Sequence, residues 1–381
     1  MNEGKTINLG IIGCGQRLRT LCSHLLQYEG IQVVSVYDPS PIQIDRFVEE
    51  CGISPTVKRA ADLQVIVEDR EVKWLSIGSP NSFHFEHTKA ALQAGKHVFL
   101  EKPLTTTIED CIALAELKKK FGKHIITGFV LRYSPLYRKM KQLLQEEEFG
   151  QILTMQANEN VSYEHAAYIM RGWRRKKELA GPHILEKCIH DIDILQWMAG
   201  SRFKRVAATG GRLIFSPLHQ GLYSRDILSA WEEKGNLDSS DPFSDMQLSI
   251  EDHIQLIGEC ENGVKLQFSA VAGTAVPERR LSIHCVRGSL TGELYSGTLR
   301  YRTIDMDHEV ELKWFGGGLH GGGDSVLSGE LYAVMTGVGL PAVELEEGIW
   351  ANIASLAADE AKRKEKWIDL GPYWHSLDQN Q

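Results

Sequence analysis

Short apolar runs alternate with helical periodicity over the first third of the chain. The runs are Ile7 to Ile12, Val33 to Tyr37, Lys73 to Gly78, Val98 to Leu100 and His124 to Phe129. Between them, apolar residues recur with helical spacing over Leu18 to Tyr28, Ile42 to Cys51, His84 to Ala94 and Ile108 to Phe121. Continuous apolar strands separated by amphipathic helices predict a parallel, doubly wound α/β sheet, buried on both faces.

The pattern changes near Gln151. Ile152 to Ser162 reads as a strand leading into a polar loop, and Gly181 to Ala199 as one strong helix. Strand patterns dominate afterwards: Val206 to Leu213, Asp252 to Glu259, Val264 to Val271, Arg279 to Val286, Ser289 to Glu293, Thr298 to Tyr301 and Val310 to Trp314. Turn signals such as Glu261-Asn262-Gly263 separate them, which predicts hairpins and a mainly antiparallel sheet in an α+β domain. The polar stretch 216–246 reads as a long insertion. Two helices, Asp324 to Thr336 and Glu346 to Lys366, close the chain. The expected domains are therefore 1–130 and 131–381, with the closing helices in the second or packed back on the first.

Composition narrows the class without changing this picture. The 381 residues suffice for two domains, and 43% apolar with 24% charged content is ordinary for a globular protein. A net charge of −8 argues against nucleic acid or an anionic membrane as partner. The basic runs Lys118-Lys119-Lys120 and Arg174-Arg175-Lys176-Lys177 read as solvated faces. Seven scattered cysteines without a C-x-x-C pair predict reduced thiols in a cytoplasmic protein and no zinc module. No apolar stretch of about 18 residues is present to span a membrane.

The first strand runs into Gly13-Cys14-Gly15-Gln16-Arg17-Leu18 and then a helix. Gly13 permits a tight turn, and Gly15 lets backbone approach a pyrophosphate at the helix N-terminus. Gln16 and Arg17 open that helix. Leu18 replaces the third glycine of the dinucleotide fingerprint, so the helix is expected to be shifted. Asp38 ends the second strand at the distance expected for a residue holding a ribose 2′-OH, which favours NAD over NADP; its competing reading is a helix cap region. After the next strand, Ser79, Asn81 and His84 lie on a loop at the carboxyl edge and are candidates to line the cofactor cleft. His84 and His87 read as packing or capping residues rather than metal ligands.

Val98 to Leu100 ends in Glu101-Lys102-Pro103. Proline stops the strand and holds Lys102 at its carboxyl end, where open α/β sheets bind ligands. A solvated ion pair is the bland reading of that segment. On the predicted helix, Glu186, His190 and Asp193 share one face at i, i+4 and i+7, beside the apolar stripe Ile184, Cys188, Ile192 and Leu195. That face admits three readings: solvated surface, a metal site, or a histidine acid/base oriented by carboxylates. Trp173, in Arg171-Gly172-Trp173-Arg174, is a candidate to stack on the apolar face of a ligand ring, with packing as the competing role. His320, before a glycine run, is a weaker candidate.

The G-x-G turn, Gly95-Lys96-His97-Val98-Phe99-Leu100-Glu101-Lys102-Pro103 and the Glu186-x-Cys188-x-His190-x-x-Asp193 pattern occur in one order. Together they resemble the Gfo/Idh/MocA family of NAD(P)-dependent sugar and polyol oxidoreductases. The resemblance implies a Rossmann domain joined to an α/β domain with a large open sheet, and a homodimer or homotetramer formed across that sheet. It implies Lys102 and His190 as catalytic residues. Glu186 stands where the family commonly has aspartate, and Cys188 where it commonly has glycine. Arg132 and Tyr133 match a stretch that borders the active site. The implied activity is hydride transfer between a secondary alcohol of a sugar, cyclitol or polyol and NAD. A glycosidase-type enzyme with the same residues and a non-catalytic NAD-binding sensor are the alternatives.

Overall fold

The computed structural model describes residues 6–222, 243, 249–313 and 320–379. Most of the expected 216–246 insertion, and Trp314, lie outside the described residues. The chain forms two compact units. The first comprises the chain up to Tyr133, Gly323–Ile349 and the end from Ser376; the second comprises Ser134–Gly322 and Trp350–His375.

The first unit holds a six-stranded sheet of β1 (Ile7–Ile12), β2 (Ile31–Tyr37), β3 (Lys58–Arg59), β4 (Trp74–Ile77), β5 (His97–Leu100) and β6 (Ile125–Thr127). Its order is β3-β2-β1-β4-β5-β6, with every pairing parallel. The two-residue edge strand β3, Lys58-Arg59, has no apolar signal of its own, and a further short helix spans Leu63–Glu68. The central strands are apolar on both faces because helices cover both, as in β4, where all four residues are buried. Helix ends follow local chemistry. Thr107 caps Ile108–Phe121 by accepting from the Asp110 N–H, with acidic residues in the first turn and Lys118–Lys120 in the last. Helix Gly323–Thr336 belongs to this unit and packs on Gln16–Leu25. Tyr332 stacks on Tyr28 at 4.7 Å between ring centroids.

The second unit holds a nine-stranded sheet: β7 (Ile152–Ser162), β8 (Phe203–Gly211), β9 (His253–Cys260), β10 (Lys265–Thr274), β11 (Arg280–Cys285), β12 (Gly288–Glu293), β13 (Thr298–Thr303), β14 (Val310–Lys313) and β15 (Ile368–Asp369). The order is β14-β13-β12-β11-β7-β10-β9-β8-β15. All pairings are antiparallel except β7 with β10. Burial alternates along β9, β10 and β11, so one face is packed and the other open. Ser282, Gln156, Gln267 and Ile257 form one row across the open face.

Three readings of the chain are corrected. The two closing helices are followed by β15 and a third helix, Gly371–Gln379, whose Trp374 donates from its indole to the Phe203 carbonyl at 2.6 Å. The loop expected after β7 is a helix, Tyr163–Ile169, capped by Ser162. The single helix 181–199 is two, His183–Glu186 and Ile189–Ala199. At the break, the Cys188 N–H reaches back five residues to the His183 carbonyl at 3.4 Å. The first helix thus ends at Lys187 before the next begins, so Glu186 and His190 lie on separate helices.

Candidate active site

In the first unit, strand order reverses between β1 and β4, and their carboxyl-end loops flank the resulting crevice. Gly13 has φ +89°, and a Cβ there would meet the Ser79 amide nitrogen at 2.6 Å, so only glycine fits. Gly15 caps helix Gln16–Leu25 with no side-chain cap, and a Cβ built on it meets nothing within 4 Å. The first helical N–H groups thus open onto space that a side chain at residue 15 would fill, a cradle suited to a pyrophosphate. The missing third glycine is replaced from across the turn. Leu18 is buried and packs onto Gly78, where a Cβ would lie 2.7 Å from Leu18 Cγ. The close helix–strand approach survives with the glycine moved to the end of β4.

Asp38 accepts from the Cys14 N–H at 2.9 Å and from the Ser40 N–H at 2.8 Å. It therefore ties the glycine turn to the loop after β2 and also shapes the entry to helix Pro41–Glu50. Ser79 is buried, with its hydroxyl 3.0 Å from His87 Nδ1. Burial, with His84 nearby, pushes His87 down to about 4. Asn81 is buried and opens a short 3₁₀ turn. Buried His84 bridges two loops: Nδ1 is 2.6 Å from the Pro103 carbonyl oxygen and Nε2 is 2.9 Å from that of Ser79.

Lys102 follows β5 at its carboxyl end, half-buried. Glu101 beside it is buried, and burial raises its carboxyl pKa against the pull of Arg17 and Lys102. Arg17 Nε donates to Glu101 Oε1 at 2.8 Å and Nη1 pairs with Asp324. Glu101 Oε2 accepts from the Lys102 N–H at 3.3 Å. Arg17 and Glu101 thus engage protein groups and join the glycine turn, the lysine strand and helix Gly323–Thr336. Asp324 gave no signal in the sequence for this role, nor did Glu347, whose carboxylate lies 2.7 Å from buried Arg132.

In the second unit, His183, Glu186, His190 and Asp193 are all buried, which sets aside the solvated-face reading of this helix pair. The His190 and His320 rings lie 5.8 Å apart between centroids. Glu186 accepts from Arg174 Nε at 3.1 Å. The Arg174 guanidinium lies over the rings of Tyr168 at 4.0 Å and Trp173 at 4.3 Å. Trp173 thus packs on an arginine, and the run Arg174–Lys177 is not a solvated face. Arg175 is buried and Lys177 pairs with Asp359 at 3.0 Å. Among the described residues no group of three or more His, Cys, Asp or Glu side chains is placed to hold a metal ion.

Buried charges lie beside this helix pair. Arg279 grips Asp191 with a two-pronged contact, Nε to Oδ1 at 2.9 Å and Nη2 to Oδ2 at 2.7 Å. Its Nη1 lies 2.9 Å from Glu159 Oε1, which also meets Lys187 Nζ at 2.9 Å. Burial raises the Glu159 carboxyl, but Arg279 and Lys187 outweigh it and hold the group well below the usual range. The available signal was a glutamate at an inward position of β7, between buried Met155 and Val161.

A parallel dinucleotide-type unit and an α+β unit carrying a buried acid–histidine helix pair define a two-part nucleotide-dependent class of fold. Residues 7–129 match an oxidoreductase family with an NAD-binding Rossmann fold, and residues 137–291 match the GFO/IDH/MocA C-terminal domain. The chain belongs to the Gfo/Idh/MocA family. A 1-carboxy-3-chloro-3,4-dihydroxycyclo hexa-1,5-diene dehydrogenase of Comamonas testosteroni is 24% identical over 221 residues, 57% of this chain and 54% of that protein. The match spans about half of that relative's length. A 1,5-anhydro-D-fructose reductase of Ensifer adhaerens is 24% identical over 361 residues, 92% of this chain and 95% of the relative. Among solved structures, a levoglucosan dehydrogenase in complex with NADH and levoglucosan superposes with TM-score 0.81 at 18% identity, covering 96% and 100% of the two chains. The latter likeness establishes the fold. No helix among the described residues is long and apolar enough to cross a membrane.

Proposed function

We propose that the chain is an NAD-dependent oxidoreductase that transfers a hydride between a secondary alcohol of a sugar, cyclitol or polyol and the nicotinamide. The observation that carries this reading is the open, uncapped helix N-terminus at Gly15, at the switch point of the parallel sheet. Gly13, Gly15 and Gln16 would hold the pyrophosphate through backbone, Asp38 the adenosine ribose, and Ser79 and Asn81 the rim of the cleft. Arg17 through Nε and Nη1, His84 and Glu101 serve by fixing the loops, since these atoms meet protein groups. The nicotinamide, when bound, supplies the hydride chemistry.

His190 takes the hydroxyl proton as the alcohol is oxidised and returns it in reduction. Lys102 donates a hydrogen bond to the same oxygen and stabilises its developing negative charge. Glu186 and Asp193 orient the polyol, with Arg174 holding the Glu186 carboxylate in place. Arg132 and Trp173 border the substrate. A panel of cyclitols, aldoses and polyols, followed by NADH formation, identifies the substrate. Stoichiometric NADH separates a dehydrogenase from redox-neutral chemistry. His190→Ala lowers turnover by about 10²–10⁴-fold with NAD binding unchanged; unchanged turnover removes His190 from the mechanism. Lys102→Ala weakens both substrate binding and turnover. Tighter NADP than NAD binding by calorimetry overturns the assignment of Asp38. The open sheet face, with half-exposed Ile257 in its central row, is the proposed contact of a homodimer or homotetramer. Light scattering on Ile257→Asp tests it, and an unchanged mass discards that surface.

A further inference from the structure

Four charged side chains meet in the interior of the second unit: Glu159 of β7, Lys187 at the helix break, Asp191 in the helix that begins at Ile189, and Arg279 just before β11. Side-chain exposure is 0% for Glu159, 1% for Arg279, 5% for Asp191 and 11% for Lys187. Their formal charges cancel. Burying two ion pairs is a poor way to stabilise a core, because desolvation offsets the attraction and apolar residues of similar size serve as well or better. Such a network earns its place through geometry, since a two-pronged arginine fork fixes orientation as well as distance.

What the network fixes is the helix segment that carries His190. Asp191 is the next residue along the chain. Lys187 lies in the break just before that segment, where the Cys188 N–H makes its long reach to His183. A break in a helix leaves the following turn free to rotate unless side chains hold it. Arg279 and Glu159, 2.9 Å apart and anchored at neighbouring strands of the sheet, hold it, one through Asp191 and the other through Lys187. We propose that Arg279, acting through Asp191 and Glu159, is the positioning residue that sets the direction of the His190 imidazole. This rests on the reading of His190 as the acid/base, and it assigns Arg279 no contact with substrate.

The single variant Arg279→Met leaves two buried carboxylates facing one lysine and is unsuited as a test. The double variant Asp191→Leu/Arg279→Met removes one charge of each sign and leaves Glu159 paired with Lys187. Arg279→Lys keeps the charge and loses the fork. The direct readout is the ring ¹⁵N spectrum of histidine-labelled full-length protein, with the His190 signals assigned by their loss in His190→Ala. The double variant is expected to melt near wild type and to shift or double the His190 ring signals, with His97 in the other unit unchanged. Arg279→Lys shifts the same signals by less. Unmoved His190 signals in either folded variant overturn the proposal. Where the substrate panel gives turnover, misdirection lowers kcat by roughly 10–100-fold with KM for NAD unchanged, since misplacement of about 1 Å costs on that order. Wild-type turnover in His190→Ala would instead refute the acid/base reading, while the spectral test of Arg279 stands on its own.

Discussion

His183 makes the second unit sensitive to acid. The ring is buried at 1% exposure, and Nδ1 has no hydrogen-bond partner among the described residues. Burial, with Lys187 adding to it and Glu159 opposing it, pushes the imidazole from an ordinary 6.5 down to about 4. The folded chain therefore leaves this ring unprotonated between those values, while the unfolded chain binds a proton. Where the unfolded state binds more protons, stability rises with pH, so stability falls as the pH is lowered from 6.5 toward 4. A shift of that size contributes about 2 kcal/mol of lost stability between pH 7 and pH 4.5. His183→Leu abolishes the titration and keeps an apolar side chain in the site. Urea unfolding followed by tryptophan fluorescence reports on this unit, which contains Trp197 and Trp374. The wild type should lose about 2 kcal/mol more than the variant between the two pH values. Equal losses in both, within about 0.5 kcal/mol, would refute the reasoning that His183 is kept neutral by burial.

Three further outcomes follow from packing. Gly15→Val puts a branched side chain into the open space at the helix N-terminus; NAD affinity by calorimetry drops at least about tenfold with little change in melting temperature, as no protein atom is displaced. Leu18→Ala leaves a cavity over Gly78 and costs about 2–5 kcal/mol in urea unfolding; a cost under about 1 kcal/mol would show that Leu18 does not take over the third glycine's packing role. The fully buried Asp252 carboxylate accepts from the backbone N–H groups of Leu213, Ile214 and Phe215. Asp252→Ala strands those donors and costs about 1–3 kcal/mol for each one left unmet by water, with faster proteolysis after residue 213 as the readout.

The alternation of apolar runs and amphipathic helices, together with one G-x-G turn, determined the parallel sheet. The run of consecutive strand patterns separated by turn signals determined the mainly antiparallel sheet of the second unit. These are local properties, because period and turn chemistry are written in neighbouring residues. Lys102 was legible for the same reason, as a proline marks the strand end beside it. Four things required tertiary structure. The helix break at Lys187-Cys188 arises in a stretch whose apolar stripe has unbroken helical spacing. The replacement of the third glycine by Gly78 depends on a residue in another strand. The partners of Arg17 and Arg279 lie 307 and 88 positions away, at Asp324 and Asp191. Finally, the basic run Arg174–Lys177 reads as a solvated face, and the structure instead stacks Arg174 over Trp173 with its Nε on Glu186. A charge in a sequence has no visible partner until the chain folds, because pairing is decided by distance in space and by the cost of leaving a buried charge alone.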